Sequence, residues 1–109
     1  MTYNKGINVN ILEKTGSIRI LIFIYQNSDR EQGVSLSEVI RGVVASSDTI
    51  QKTVDYLISN GLIKDEYTKV HPYKRILTLT ALGLEIAKPL ADIEHALRSQ
   101  GAPKLPDSP

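Results

Sequence analysis

The chain has 109 residues, of which 41% are hydrophobic, with 13 lysines and arginines against 12 aspartates and glutamates and a formal net charge of +1. This is the balance of a single globular domain with a modest core, and it excludes a disordered chain. There is no cysteine, which removes disulfides, thiolate zinc sites and cysteine nucleophiles together and fits a reducing interior.

The longest apolar stretch, residues 18–25, is far shorter than the ~20 residues that span a bilayer, and Arg19 interrupts it. The amino-terminal residues lack the secretory pattern of basic region, apolar region and small-residue cleavage site. The expectation is a soluble cytoplasmic protein. With charge this close to balance, any argument for a polyanionic partner must rest on where the charges sit.

Ile7, Val9 and Ile11 alternate and suggest a short strand or arm. Ser17 then offers a hydroxyl to cap a helix running to about Asn27, with Ile18, Leu21, Ile22 and Tyr25 at helical spacing. Residues 28–33 are a polar loop, and Val34 is a candidate for one or two residues of strand. In Ser35-Leu36-Ser37-Glu38 a serine stands three residues before a glutamate, so each side chain can satisfy the other's backbone amide. A short helix follows, carrying Leu36, Val39, Ile40 and Val43 on one side and ending between Gly42 and Ala45.

Ser46, Ser47 and Asp48 open the next helix. Its Ile50, Val54, Leu57 and Ile58 repeat as the stripe of a helix lying on a core. Asn60-Gly61 ends it, because both residues tolerate the left-handed conformation of a helix terminus. Residues 62–67 and 74–80 read as two strands about a turn at 68–73, where Pro72 is tolerated because it cannot donate to a ladder. Thr80 can cap a last helix over about 81–99, kinked at Pro89. Residues 1–100 thus form one domain, and 101–109, rich in proline, read as a flexible tail.

The order of helix, short helix, longer helix, hairpin and final helix is that in which a short helix braces a longer one for the major groove. The residues resemble the winged helix-turn-helix transcription regulators. Val39-Ile40 followed by the run from Ser46 to Ile63, with its Ser-rich start, apolar periodicity and closing Gly61-Leu62-Ile63, is similar to their recognition segment. Leu77-Thr78-Leu79-Thr80-Ala81-Leu82-Gly83 is similar to the Leu-Thr-x-x-Gly run that leads from the wing into their last helix. Together the likeness covers roughly residues 17–99 and looks nearest to MarR-like and small archaeal regulators. Gly42-Val43-Val44-Ala45 departs from the Gly-Leu-Ser-like turn of such proteins. Thirteen isoleucines also suit an archaeal-like, heat-adapted source. The resemblance implies an α+β, mainly helical fold: a three-helix core and a β-hairpin wing, with a C-terminal dimerisation helix.

With Ile50, Val54 and Leu57 turned inward, Asp48, Lys52, Asp55 and Ser59 face most outward. Ser47, Thr49 and Gln51 then stand nearest base edges, Lys52 reaches a phosphate or a guanine, and Tyr56 lies at the flank. The hairpin adds Lys69, Tyr73, Lys74 and Arg75 as backbone or minor-groove contacts. Asp48 and Asp55 oppose phosphate binding, which keeps alive a reading as a protein-interaction module without nucleic acid; a non-specific chromatin protein is the other alternative. In the last helix, Gly83, Ile86, Leu90, Ile93 and Leu97 follow a 3-4-3-4 spacing, so Ile86, Leu90, Ile93 and Leu97 are the expected homodimer seam. His71 and His95 have no carboxylate at ligand-like spacing, and no Gly-rich phosphate loop exists. The expectation is a DNA-binding regulator and not an enzyme, with double-stranded DNA and a second copy as partners and neither metal nor cofactor.

Overall fold

A computed structural model of the chain describes residues 8–28 and 33–101. Ile7, part of the 28–33 loop and the tail beyond Gly101 lie outside the described residues. Where a strand or arm was expected, Asn8 caps a 3-10 turn over Val9–Glu13 through its side chain, and Ile11 is buried. Ile11 finds apolar contact in the core directly, so this segment needs no sheet partner.

Helix α1, Ser17–Asn27, ends where expected but is not capped by Ser17. Gly16, in the left-handed conformation at φ 85°, is its N-cap residue, and the buried Ser17 hydroxyl instead donates to the Ile11 carbonyl at 3.0 Å. The buried residues are Ser17, Ile20, Leu21, Ile22 and Ile24, so Leu21 and Ile22 turn inward, whereas Ile18 is 41% exposed. The segment is apolar on too many faces for its spacing to single out one.

Strand β1 is Val34–Ser35. Ser35 caps α2, Leu36–Gly42, in the reciprocal arrangement read from the sequence: Glu38 N–H donates to Ser35 Oγ at 3.2 Å, and Ser35 N–H donates to Glu38 Oε1 at 2.9 Å. Helix α3, Ser47–Ser59, is capped by Ser46 and stopped at Asn60, beyond which Gly61 takes the positive φ of 79° that the chain needs to turn into the wing. Strands β2, Ile63–Tyr67, and β3, Arg75–Leu79, pair antiparallel with Ile63 opposite Leu79, Asp65 opposite Leu77 and Tyr67 opposite Arg75. Val34 lies opposite Leu77 on the other edge, which makes a three-stranded sheet in the order β1-β3-β2.

Helix α4, Ala81–Gly101, runs through Pro89 without ending there. The Thr80 hydroxyl accepts from Gly83 N–H at 3.0 Å and donates to the Gly61 carbonyl at 2.6 Å, so one side chain both caps α4 and ties it to the end of α3. Gly83 comes so close to the chain at Leu62 that a Cβ would stand 2.0 Å from the Leu62 carbonyl oxygen. Beyond that crossing α4 packs along α1 through buried Ala87 and Ala91, with Glu94 ion-paired to Arg19.

The core is one cluster: Ile20, Leu21 and Ile24 of α1, Val39 of α2, Ile50, Val54 and Leu57 of α3, Leu62 just before β2 and Leu77 of β3 are completely buried. Each such side chain contributes on the order of 1.5–3 kcal/mol relative to remaining in water. Their combined effect is to fix α3 on its inner side only.

Candidate nucleic-acid interface

Helix α3 lies against α1, α2 and β2. Ile50, Val54 and Leu57 are inward as expected, joined by Thr53, whose hydroxyl donates to the Thr15 carbonyl at 2.6 Å. The opposite face is open: Ser47, Asp48, Gln51, Lys52, Asp55 and Ser59 are all exposed. At the amino-terminal end Ser46 Oγ accepts from Thr49 N–H at 3.1 Å and donates to Thr49 Oγ1 at 2.9 Å. Thr49 is half-buried and already engaged, while Ser47 and Gln51 are exposed at the rim, with Gln51 Nε2 donating to Ser47 Oγ at 3.5 Å.

Both aspartates of the outer face have cationic partners. Lys52 Nζ is 3.3 Å from Asp48 one turn earlier, with both side chains largely exposed. Such a pair is worth only ~0.3–0.5 kcal/mol, so Lys52 can exchange Asp48 for a phosphate at little cost. Asp55 is held by the wing: Arg75 Nη2 donates to Asp55 Oδ1 at 2.8 Å, and Arg75 Nε donates to Asp65 Oδ2 at 2.8 Å. The Arg75 side chain is 18% exposed. The hydrogen bond to Asp55, opposed by burial and aided by Asp65, raises the guanidinium pKa above its ordinary value and keeps it fully charged.

Alternation along β3 explains this geometry. Arg75, Leu77 and Leu79 share the face turned to the core, and Asp65 lies on the same face of β2, opposite Leu77. Leu77 enters the core, and Arg75, two residues nearer the tip, arrives beside α3 instead. Expected among the groups free to grip DNA, Arg75 is placed as a brace between α3 and the wing. Tyr56 is likewise turned from the open face: it is half-buried against the core, with Lys14 Nζ 5.4 Å from its ring centroid. The alternation was visible in the sequence, but the pairing of Asp55 with Arg75 across twenty residues was not, and nothing local announced Lys14.

The tip of the wing carries two further lysines. Thr68 N–H donates to the Lys74 carbonyl at 2.9 Å, and Lys74 N–H donates to Thr68 Oγ1 at 2.8 Å, which closes the loop. Lys69, Val70, His71, Pro72, Tyr73 and Lys74 are exposed, with His71 and Tyr73 packed edge to face at 5.7 Å. Neither Lys69 nor Lys74 makes an ion pair among the described residues. A polar cleft of roughly 550 Å³ separates this tip from Ser37, Glu38 and Arg41 of α2.

On α4 the expected seam divides. Gly83 is taken up by the crossing at Leu62, and Ile86 and Leu90 are half-buried on the chain's own core. Ile93 and Leu97 are 54% and 66% exposed, as are Leu82 and Leu84 in part. Among the described residues no cluster of three His, Asp or Glu side chains could hold a metal, and no helix is long and apolar enough to cross a membrane.

A helix-turn-helix of α2 and α3, followed by a two-stranded wing braced to the second of them, defines a winged helix-turn-helix. Solved structures of transcription regulators share it. The chain is similar to a candidate HxlR-family transcriptional factor from Thermoplasma volcanium, with TM-score 0.73 and 13% identity over 94% of this chain and 90% of that one. It is also similar to a candidate MarR-family regulator from Porphyromonas gingivalis, with TM-score 0.70 and 19% identity over 94% and 99% of the two chains. MarR of Staphylococcus aureus, in complex with salicylate and kanamycin, aligns with TM-score 0.61 and 26% identity over 90% of this chain and 67% of that one. No protein-family model matches the sequence, and no curated protein matches it. The MarR-like winged-helix fold expected from the residues is the fold observed.

Proposed function

We propose that the chain is a sequence-specific transcriptional regulator that binds double-stranded DNA as a homodimer and acts by occupying an operator, with no chemistry of its own. One observation carries this reading. Helix α3 is anchored by completely buried Ile50, Val54 and Leu57, its opposite face is open to solvent, and the wing is tied to it by Arg75.

In this reading Ser47, Thr49 and Gln51 approach base edges from the amino-terminal end of α3, and Lys52 reaches a phosphate or a guanine. Lys69, Tyr73 and Lys74 meet the backbone and minor groove from the wing. Arg75 and Tyr56 position these groups and do not themselves touch DNA. The exposed Ile93 and Leu97, continuous with half-buried Ile86 and Leu90, pair α4 with a second copy. Two recognition helices then address half-sites ~34–36 Å apart. The pairing of Asp48 with Lys52 and of Asp55 with Arg75 weakens the reading as a protein-interaction module, which drew its support from two free carboxylates.

Selection of bound sequences from a random duplex pool, followed by competition with unselected duplex, tests the proposal. A preference of about 10³-fold or more for the selected site is expected. Binding without preference would reduce the protein to an architectural one. The absence of any salt-dependent duplex binding at low ionic strength would refute both.

A further inference from the structure

The wing tip is more apolar than phosphate binding requires. Val70 is 71% exposed, Tyr73 66% and Tyr67 63%, with Pro72 and the His71 ring between them. Three large apolar side chains exposed together at the end of one hairpin call for an occupant, unlike scattered surface hydrophobes. The tip is also pinned: the Thr68–Lys74 hydrogen bonds close it, and next to them the Arg75 brace to Asp55 and Asp65 ties β3 to α3 and β2. Lys69 and Lys74 flank the apolar residues and have no carboxylate partner among the described residues.

We infer that the tip is a wedge: Val70 and Tyr73 insert at a base step of the minor groove, unstack it and bend the duplex, while Lys69 and Lys74 hold the phosphates on either side. This rests on the DNA-binding reading above and adds a mode of binding to it. The chemistry matches on both counts. An inserted apolar side chain takes the place of a stacked base, at a cost lowest at flexible pyrimidine–purine steps. The flanking ammonium groups carry the charge that a narrow, strongly negative groove attracts. The wedge therefore selects sequence by deformability and not by hydrogen bonding, since no apolar side chain can read the donor and acceptor pattern of a base edge. A site should carry a TA or CA step where the tip falls, separate from the bases met by α3.

The experiment uses the full chain and a 30-base-pair A·T-rich duplex with TA steps, labelled at both ends for energy transfer at low salt. The wild type should bend it by about 20–90°. Val70→Ser/Tyr73→Ser should bind within roughly tenfold of the wild type but leave the duplex nearly straight, and should lose its preference for TA over an A-tract. Both sites are exposed, so the variant should melt as the wild type does. Lys69→Gln/Lys74→Gln should do the reverse, retaining the bend at saturation while the dependence of affinity on salt becomes shallower. Tight binding of the wild type without bending, or equal bending by the serine variant, overturns the wedge and leaves the regulator reading standing. No duplex binding by the wild type overturns both. Partition of the wild type, but not the serine variant, onto phosphatidylglycerol vesicles in place of DNA would assign the tip to a lipid surface and overturn it as well.

Discussion

Arg75→Met should show whether the wing is held by a brace or free to grip DNA. Met preserves much of the aliphatic stem and removes both hydrogen bonds. The bond to Asp65 joins side chains 18% and 27% exposed, so it retains most of the ~1.5–3 kcal/mol of a hydrogen bond to a charged group. The bond to Asp55, whose side chain is 63% exposed, is screened to about 0.2–1 kcal/mol. Together the loss is about 2 kcal/mol, which in a domain of this size lowers Tm by roughly 8–16 °C. Thermal denaturation of the variant, with a double-mutant cycle to Asp55→Ala, measures it. The decisive comparison is in DNA binding. If Asp55 merely repels phosphate, Asp55→Ala should bind more tightly than the wild type. If Asp55 holds the wing in register, Asp55→Ala and Arg75→Met should both bind more weakly, with the salt dependence of the wild type retained. A direct phosphate contact by Arg75 would instead reduce the salt slope by about 0.9. Unchanged melting of Arg75→Met within about 2 °C, or that reduced slope, would refute the brace.

Gly83→Ala should be among the most damaging single-methyl changes in the chain, because the new Cβ would stand 2.0 Å from the Leu62 carbonyl oxygen. A cost of about 3 kcal/mol or more is expected, read as a large fall in Tm or as loss of soluble protein. Ile93→Lys/Leu97→Lys changes positions 54% and 66% exposed. Light scattering should find it monomeric with a domain that still folds, whereas a monomeric wild type at tens of micromolar would remove the basis for this prediction. Glu94 accepts from Arg19, and this hydrogen bond holds its carboxyl below the ordinary value of 4.5, with burial opposing and Arg98 adding. A carboxyl more acidic in the folded than the unfolded chain stabilises the fold fully above 4.5 and loses that contribution as pH falls through the lowered folded value. Glu94→Gln should therefore flatten the acid limb of a plot of Tm against pH below that point.

How much was legible in the sequence depended on whether the deciding contact was local. Ser35 with Glu38, Ser46 before α3, Gly61 after it and Thr80 before α4 are each satisfied within a few residues, and each was found where it was expected. Helix α3 showed its inner face because its polar residues leave only one apolar stripe. Helix α1 did not: with isoleucine at 18, 20, 22 and 24 its inner face was set by what it meets, which is Ile11 on one side and α4 on the other. The 3-10 turn at Val9–Glu13 hid behind an alternating pattern for the same reason. At the interface Ser47, Gln51, Lys52, Lys69, Tyr73 and Lys74 lie exposed as expected. Arg75 and Tyr56 turn away because partners distant in sequence, Asp55, Asp65 and Lys14, take them up. A charge can be counted in a sequence, but whether it is already paired cannot.

That distinction resolves the apparent poverty of a chain with net charge +1 as a partner for DNA. At physiological salt the Debye length is ~8 Å, so the sum over the whole molecule matters less than the arrangement within one groove width. On this face Asp48 and Asp55 of α3 and Asp65 of the wing are met by Lys52 and Arg75. The tip, farther out, keeps Lys69 and Lys74 with no described carboxylate beside them. The wing thus holds Arg75 in ion pairs, while Lys69 and Lys74 of its turn make none among the described residues. In the proposed reading the phosphate contacts of one copy are supplemented by shape and by those of a second copy. Ile93 and Leu97 of α4 are the exposed apolar residues which that reading assigns to the second copy.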